Sequence, residues 1–478
     1  MRAHEAGALH AEGYGAAPQW LPHPDNVMAL LPQLWSDGIT RGADGALAID
    51  GISALDLARD FGTPAYVVDE QDFRRRARAF RDEFTAPFDR TLAGADVYYA
   101  GKAFLCSAVA QWVMEEGLCL DVCSLGELAV AMRVGFPAHR IGMHGNNKSV
   151  EEIRAGLSYG VGRIVLDSFH EIERVAAIAA ELDVVAPVMI RVTVGVEAHT
   201  HEFIATAHED QKFGFSLAGG KAEAAVLAVL AQDRLDLLGL HSHIGSQIFD
   251  VSGFEIAARR LVELHVKVAT DHGYLMPEMD LGGGYGMSYT SQHTPMTPAQ
   301  LGEQLCGVVR RELKPLADAV PGAKVPRISI EPGRSIVGPS TFTLYTVGTV
   351  KEVQVNDRAT RLYVAVDGGM SDNVRTALYD ADYSCTLANR ASDAAPRVSR
   401  VVGKHCESGD IVVMDEYLPA DVAPGDLIAV PGTGAYCRAL SSQYNHTPRP
   451  PVLAVNDGAA RVIVRRETVE DLLALDVW

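Results

Sequence analysis

Lys102 closes the run VYYAGK, and the next charged residue is Glu115, so its amine stands alone at the end of an apolar stretch. Such a lysine either snorkels to solvent or acts as a nucleophile toward a carbonyl. Gly282, Gly283 and Gly284 follow another apolar run. Without side chains they let backbone N–H groups approach an anion such as phosphate, or they make a tight turn. Glu331, Pro332, Gly333 and Arg334 put a carboxylate and a guanidinium on one short turn. That is a structural ion pair, or a carboxylate that keeps a pyridinium nitrogen protonated beside a fork that grips a carboxylate or phosphate. His241 and His243 form one H-x-H pair and His199 and His201 another. Two such pairs could hold a metal for hydrolysis, and a flat imidazole can also cover a cofactor ring. Cys406 and Glu407 lie side by side in CESG, where an inert buried thiol is the bland reading. Arg375 and Tyr379 are four apart, so on a helix they share a face and could bind one end of a polar substrate.

These residues need a scaffold, and the hydrophobic pattern supplies one. Eight apolar runs alternate with helical patterns: VYYAGK, LCLDVCS, IGMHGN, RIVLDS, VMIRVTV, LGLHSHIGS, MDLGGG and RISIEPGR. The spacing predicts an α/β protein with a (β/α)8 TIM-like barrel, although a doubly wound sheet shares that periodicity. Lys102, Asp121, His144, Asp167, His243, Gly282 to Gly284 and Glu331 all fall near the ends of their runs, which in a barrel is the active rim. Beyond residue 338 the texture becomes β-rich, with a hairpin expected at VLAVNDGAARVIV, and predicts a C-terminal all-β domain. The expected division is an N-terminal segment 1–65, part of it packing with the β domain, a barrel over 66–337, and the β domain over 338–478.

A formal net charge of -19 offers no counterion-release term and argues against nucleic acid as a partner. The beginning of the chain has no secretory pattern, and no run reaches the ~18 apolar residues of a membrane span. A cytoplasmic protein with no membrane partner is expected. The 7 cysteines are scattered, and Cys119 and Cys123 lack a second pair at zinc-finger spacing, so neither a disulfide framework nor a metal site is expected.

Taken in order, YYAGKAF, LDVCSLGEL, HGNNKS, HSHIGSQ, DLGGG, EPGR, VDGGMSDNVRTALYDA, GKHCESGD and GAYC span about residues 60 to 450 and resemble the fold-type III pyridoxal-phosphate-dependent decarboxylases. The resemblance implies that pyridoxal 5'-phosphate forms a Schiff base with Lys102, that Glu331 meets the pyridine nitrogen and that His243 stacks on the ring. It implies that Ser246, Gly282, Gly283, Gly284, Gly333 and Arg334 hold the phosphate, that Asp121 supports the lysine side of the pocket and that Tyr436 closes over the cofactor. Substrate contacts fall to Arg334, Arg375, Tyr379, Glu407 and Tyr436. A head-to-tail homodimer with shared active sites would bring Cys406 and Glu407 to the neighbouring site, where Cys406 returns a proton to the carbanion. The implied reaction is decarboxylation of meso-2,6-diaminopimelate to L-lysine and CO2, the last step of lysine biosynthesis. Ornithine, lysine or arginine decarboxylation on the same fold is an alternative, followed by a metal-dependent barrel hydrolase and a non-catalytic cofactor carrier. Two positions depart from the family pattern: Gly101 where alanine is frequent, and Thr376 where proline often follows the arginine.

Overall fold

The computed structural model describes residues 17–195, 212–356 and 359–477, which form two compact units. One comprises the described residues of Arg74–Gly286 and Pro295–Ser335, and the other those of Met1–Phe73, Met287–Thr294 and Ile336–Trp478.

The first unit is a closed barrel of eight parallel strands. In order these are Ala95–Ala100, Cys119–Val122, Ile141–Met143, Arg163–Leu166, Ala186–Thr193, Leu235–His241, Glu278–Asp280 and Arg327–Ile330. Each pairs with the next, and Ile328 of the eighth pairs with Ala95 of the first, so no edge remains. A ninth short strand, Phe215–Ser216, pairs in parallel with the end of the fifth. All eight strands fall within the apolar runs read from the sequence or overlap their starts. The helices between them match the helical patterns as well, among them Ser107–Glu115, Leu125–Arg133, Val150–Tyr159, Phe169–Glu181, Lys221–Leu230 and Ser252–His272.

Serine caps set the loops at the rim. Ser124, Ser149 and Ser168 each accept the backbone N–H of the third helical residue, and Ser149 with Glu152 completes a capping box. Because Ser124 starts a helix two residues after its strand ends, the loop is short and Asp121 is held at the rim.

The barrel interior is polar at one level. Arg163 is 1% exposed, lies 3.6 Å from the centre of the Tyr98 ring, pairs with Asp280 and donates to Ser329 Oγ at 2.9 Å. A buried guanidinium is tolerable there because a carboxylate, a hydroxyl and a π face surround it.

The second unit is β-rich. Thr341–Asn356 is its long central strand, paired antiparallel with Ala359–Val366, Leu427–Pro431 and Ala65–Asp69. Val452–Asn456 joins Ala65–Asp69 in parallel and turns back into Ala459–Val464 through Asp457 and Gly458, both at positive φ (51° and 70°), the backbone of a type I′ hairpin. The strand Ala65–Asp69 is buried at every position, which fits its place between two partners. The helix Ala54–Phe61, capped by Ser53, presents Ala54 and Leu57 to the same core as Leu47, Val67, Leu344 and Leu453. Among the described residues, no helix is long and apolar enough to cross a membrane.

Candidate active site

A cavity of about 370 Å³ opens at the C-terminal rim of the barrel, lined among others by Lys102, Asp121, His144, Arg191, His243 and Glu331. Six different strands deliver these groups. Lys102 sits in a 3₁₀ turn, Gly101–Ala103, straight after the first strand. Gly101 has a steric reason, since a Cβ there would lie 2.7 Å from the Asp121 carbonyl oxygen. Asp121 comes from the second strand, His144 follows the third, Arg191 is in the fifth, His241 ends the sixth and Glu331 follows the eighth.

Four of these side chains form a buried acid–imidazole cluster. Glu331 Oε1 lies 2.9 Å from His241 Nε2 and 3.3 Å from His144 Nε2, while the same His144 nitrogen is 3.1 Å from Asp121 Oδ1. None of the four is more than 6% exposed. The close approaches lack hydrogen-bond alignment, so both Asp121 oxygens, Glu331 Oε1 and both His241 nitrogens are buried without a partner. Such polar atoms are costly unless a bound group completes them. Burial, and then the neighbouring Glu331 charge, push Asp121 well above the usual carboxylate range. Burial alone would raise Glu331 too, but the imidazoles of His144, His241 and His243 hold it well below its usual value. Burial and neighbouring charge thus push the two carboxyls in opposite directions, Asp121 up and Glu331 down. Desolvation lowers His144 to about 4 and also depresses His241. It depresses His243 further, with the Lys102 charge acting in the same direction.

Beside this cluster the loops after the sixth and seventh strands lace together. Gly284 O accepts the Ile248 N–H at 2.9 Å, and Gly286 N–H returns to Ile248 O at 3.0 Å. Gly282 (φ 71°) and Gly284 (φ 116°) have backbone conformations that L residues avoid. A Cβ would also lie 2.2 Å from Ser242 O at Gly282 and 2.5 Å from Gly245 O at Gly284. The Gly282 amide is engaged by Asp280 Oδ1 at 2.7 Å and the Gly283 amide by His243 Nδ1 at 3.3 Å. Ser246 Oγ accepts from Arg334 Nη2 at 2.9 Å, which puts a hydroxyl and a guanidinium together near these loops. Gly333 fits only without a side chain, its Cβ position being 2.8 Å from Ala100 O.

In the β unit, Arg375 and Tyr379 form the helix Arg375–Tyr379, yet they do not share surroundings: Arg375 is 5% exposed and Tyr379 61%. A five-residue helix at the surface buries its first turn and leaves its last in solvent. Cys406 is exposed, unlike the buried Cys306, Cys385 and Cys437, so the inert-thiol reading of CESG does not describe it. Its amide donates to Asn445 Oδ1 at 3.2 Å, and Asp410 accepts the His405 amide at 2.7 Å, fixing the turn that carries Cys406 and Glu407. Tyr436 adopts φ 62°, a costly conformation for a bulky residue and of the kind that clusters at ligand sites. Thr376 is buried, and its hydroxyl donates to Val412 O at 3.2 Å, anchoring the helix where the family pattern has proline.

The sequence reading did not include Arg191 or Arg163, nor the convergence of His144 with Glu331. A lone arginine opening an apolar strand run (Arg163) or interrupting one (Arg191) is the available signal. Of the rival metal reading, His199 and His201 lie outside the described residues. His241 instead meets His144 and Glu331, whose ligand atoms lie within 4.8 Å of one another and could also surround a cation.

Comparison with known proteins identifies what this pocket takes. The family model for the pyridoxal binding domain of pyridoxal-dependent decarboxylases matches residues 70–338. The chain is 53% identical over 486 residues to the diaminopimelate decarboxylase of Mycobacterium leprae, covering 100% of both chains. It is 55% identical to that of Mycobacterium tuberculosis over 95% of this chain and 100% of the relative. The crystal structure of diaminopimelate decarboxylase from M. jannaschii in complex with L-lysine superposes with a TM-score of 0.85 at 30% identity, covering 93% of this chain and 99% of that one.

The residues present fit pyridoxal phosphate. A lysine amine stands at the rim, orphaned buried carboxylate oxygens face the cavity, and side-chain-free backbone adjoins a serine and an arginine. The metal-dependent hydrolase reading gives way to these matches, and the chain belongs to the diaminopimelate decarboxylase family of pyridoxal-dependent decarboxylases.

Proposed function

We propose that this chain decarboxylates meso-2,6-diaminopimelate to L-lysine and CO2, with Lys102 anchoring the cofactor. The observation that carries the reading is the cavity in which Lys102 shares a rim with the buried carboxyls of Asp121 and Glu331. Bound there, pyridoxal phosphate supplies an electron sink for the pair of electrons left at the α-carbon when CO2 departs.

The protein's own groups do the rest. Lys102, whose amine lines the cavity, would hold the cofactor. Glu331, whose carboxyl lies well below its usual value, would favour a proton on the cofactor's ring nitrogen. His243 would bind the cofactor's ring, and Asp121 would brace the wall beside Lys102. Ser246, Gly282, Gly283, Gly284, Gly333 and Arg334 would hold its phosphate. Gly282 and Gly283 act there by leaving room, since their amides are engaged within the protein.

Cys406 delivers the proton to the α-carbon, and Tyr436 closes over the site. Arg334, Arg375, Tyr379, Glu407 and Tyr436 bind the substrate's polar groups. The exposure of Cys406 and Tyr379 supports a homodimer in which the β unit of one copy completes the site of the other. A site that pairs a second carboxylate and amine rejects substrates lacking them, because its own charges would be left unsatisfied.

The test is a CO2-release assay of the holoenzyme on meso-diaminopimelate, ornithine, lysine and arginine. Turnover confined to diaminopimelate supports the assignment, and turnover of ornithine without diaminopimelate overturns it.

A further inference from the structure

Four arginines in the described residues are buried: Arg163, Arg361, Arg375 and Arg400. Three face a carboxylate. Arg163 pairs with Asp280, Arg361 lies 2.9 Å from Asp415 and Arg400 lies 3.7 Å from the same Asp415. Arg375 has no carboxylate among the described residues. Its surroundings are Tyr289, whose ring centre is 4.6 Å from the guanidinium carbon, and Tyr383, at 5.6 Å. Nη1 donates to the Tyr383 hydroxyl at 2.5 Å, while Nε is buried with no acceptor. A desolvated guanidinium with a bare edge is expensive unless an anion arrives. A carboxylate is the planar acceptor that matches that edge.

The two rings are fixed in turn. They meet edge to face at 5.1 Å and 76°. The Tyr383 hydroxyl is 3.5 Å from Cys437 Sγ, which donates to Asn373 Oδ1 at 3.5 Å, and that oxygen also accepts the Arg375 amide at 3.3 Å. The loop of contacts leads from the guanidinium back to its own backbone. Electron-rich ring faces stabilise the cation without neutralising it, so its affinity for an incoming anion survives.

We propose that Tyr289 and Tyr383 are positioning residues that set substrate selectivity, holding the Arg375 guanidinium open as the receptor for the carboxylate remote from the reacting carbon. This rests on the reading of Arg375 as a substrate contact. The roles differ: Tyr383 acts through its hydroxyl and Tyr289 through its ring.

The experiment measures KM and kcat of the cofactor-loaded enzyme on meso-diaminopimelate, with melting temperature alongside, for Arg375→Met, Tyr383→Phe, Tyr289→Leu and Tyr289→Phe. Tyr383→Phe raises KM about tenfold, with kcat changed much less, as expected for one lost hydrogen bond to a charged group. Tyr289→Leu raises KM about threefold to fivefold, and Tyr289→Phe restores it because the ring face remains. If Arg375→Met raises KM while neither tyrosine change does, or if the tyrosine changes lower only the melting temperature, the positioning role is overturned and the substrate contact stands. If Arg375→Met leaves KM unchanged, the substrate contact itself fails, and the proposal fails with it.

Discussion

The barrel rim and the outer face of the β unit hold the two halves of the proposed chemistry, and they are built in opposite ways. At the rim, Asp121, His144, His241 and Glu331 crowd together from four strands, almost wholly buried, and shift one another's protonation. On the β unit, Cys406 is exposed on a turn pinned by Asn445 and Asp410, and Tyr379 projects into solvent from a short helix. A buried mutual cluster is preorganised for a cofactor that stays. Exposed groups on a rigid turn suit a site completed by another surface. The contrast teaches that cofactor binding and proton return can be separated by mutation.

The sharpest break is between Lys102 and Cys406. Lys102→Ala abolishes both the covalent cofactor adduct and turnover, a loss of at least about 10⁴-fold against enzymatic accelerations that begin near 10⁶. Cys406→Ala keeps the adduct and loses about 10²- to 10⁴-fold in kcat, the usual worth of a positioned proton donor. Absorbance of bound cofactor and steady-state kinetics read the two apart. Mixing the two inactive chains regains part of the activity if sites are shared between copies. Proven heterodimers with no activity would place each site within one chain.

A second, smaller contrast lies in acid. Buried His144 has its value lowered to about 4 from an ordinary 6.5, so the unfolded chain takes up this proton first. Its contribution to barrel stability is present above about 6.5 and is lost as pH falls toward 4. Buried Asp372 of the β unit is raised to about 7 by desolvation, despite hydrogen bonds from Tyr345 and from the Gly369 amide. Its contribution is present below about 4 and is lost as pH rises through 7. Between pH 4 and 6.5 acidification therefore removes stability at His144 and adds it at Asp372. Unfolding free energy measured at pH 5 and pH 7 for the parent, His144→Gln and Asp372→Asn separates the two: relative to the parent, the first variant loses less on acidification and the second gains less. A pH dependence that neither substitution alters would contradict the two assignments.

The smallest effect tests the anchoring of Arg375. Thr376→Val removes a buried hydroxyl bond to Val412 O and costs about 1 kcal/mol in unfolding free energy, measured by urea denaturation.

Much of this was legible in the sequence because the barrel repeats a simple rule: apolar runs of strand length, with polar residues placed where the runs stop. The hairpin at Asp457 and Gly458 was equally readable from its turn residues. Periodicity does not report convergence in space, however. His144 was visible at a strand end, but its approach to Glu331, nearly two hundred residues away, follows from barrel closure. Arg375 and Tyr379 at helical spacing suggested one shared face, whereas burial of a short helix depends on what packs over it. Arg163 and Arg191 stand in strands as apolar as their neighbours, and only the fold gives them Tyr98, Asp280 and the cavity to face.

The most direct test of the central claim is borohydride reduction of the cofactor-loaded protein followed by peptide mapping, paired with product analysis on meso-diaminopimelate. A pyridoxyl group on Lys102, with L-lysine and CO2 formed in equal amounts by the unreduced enzyme, is the predicted result. An adduct on another lysine, or an adduct at Lys102 without release of CO2, would contradict it.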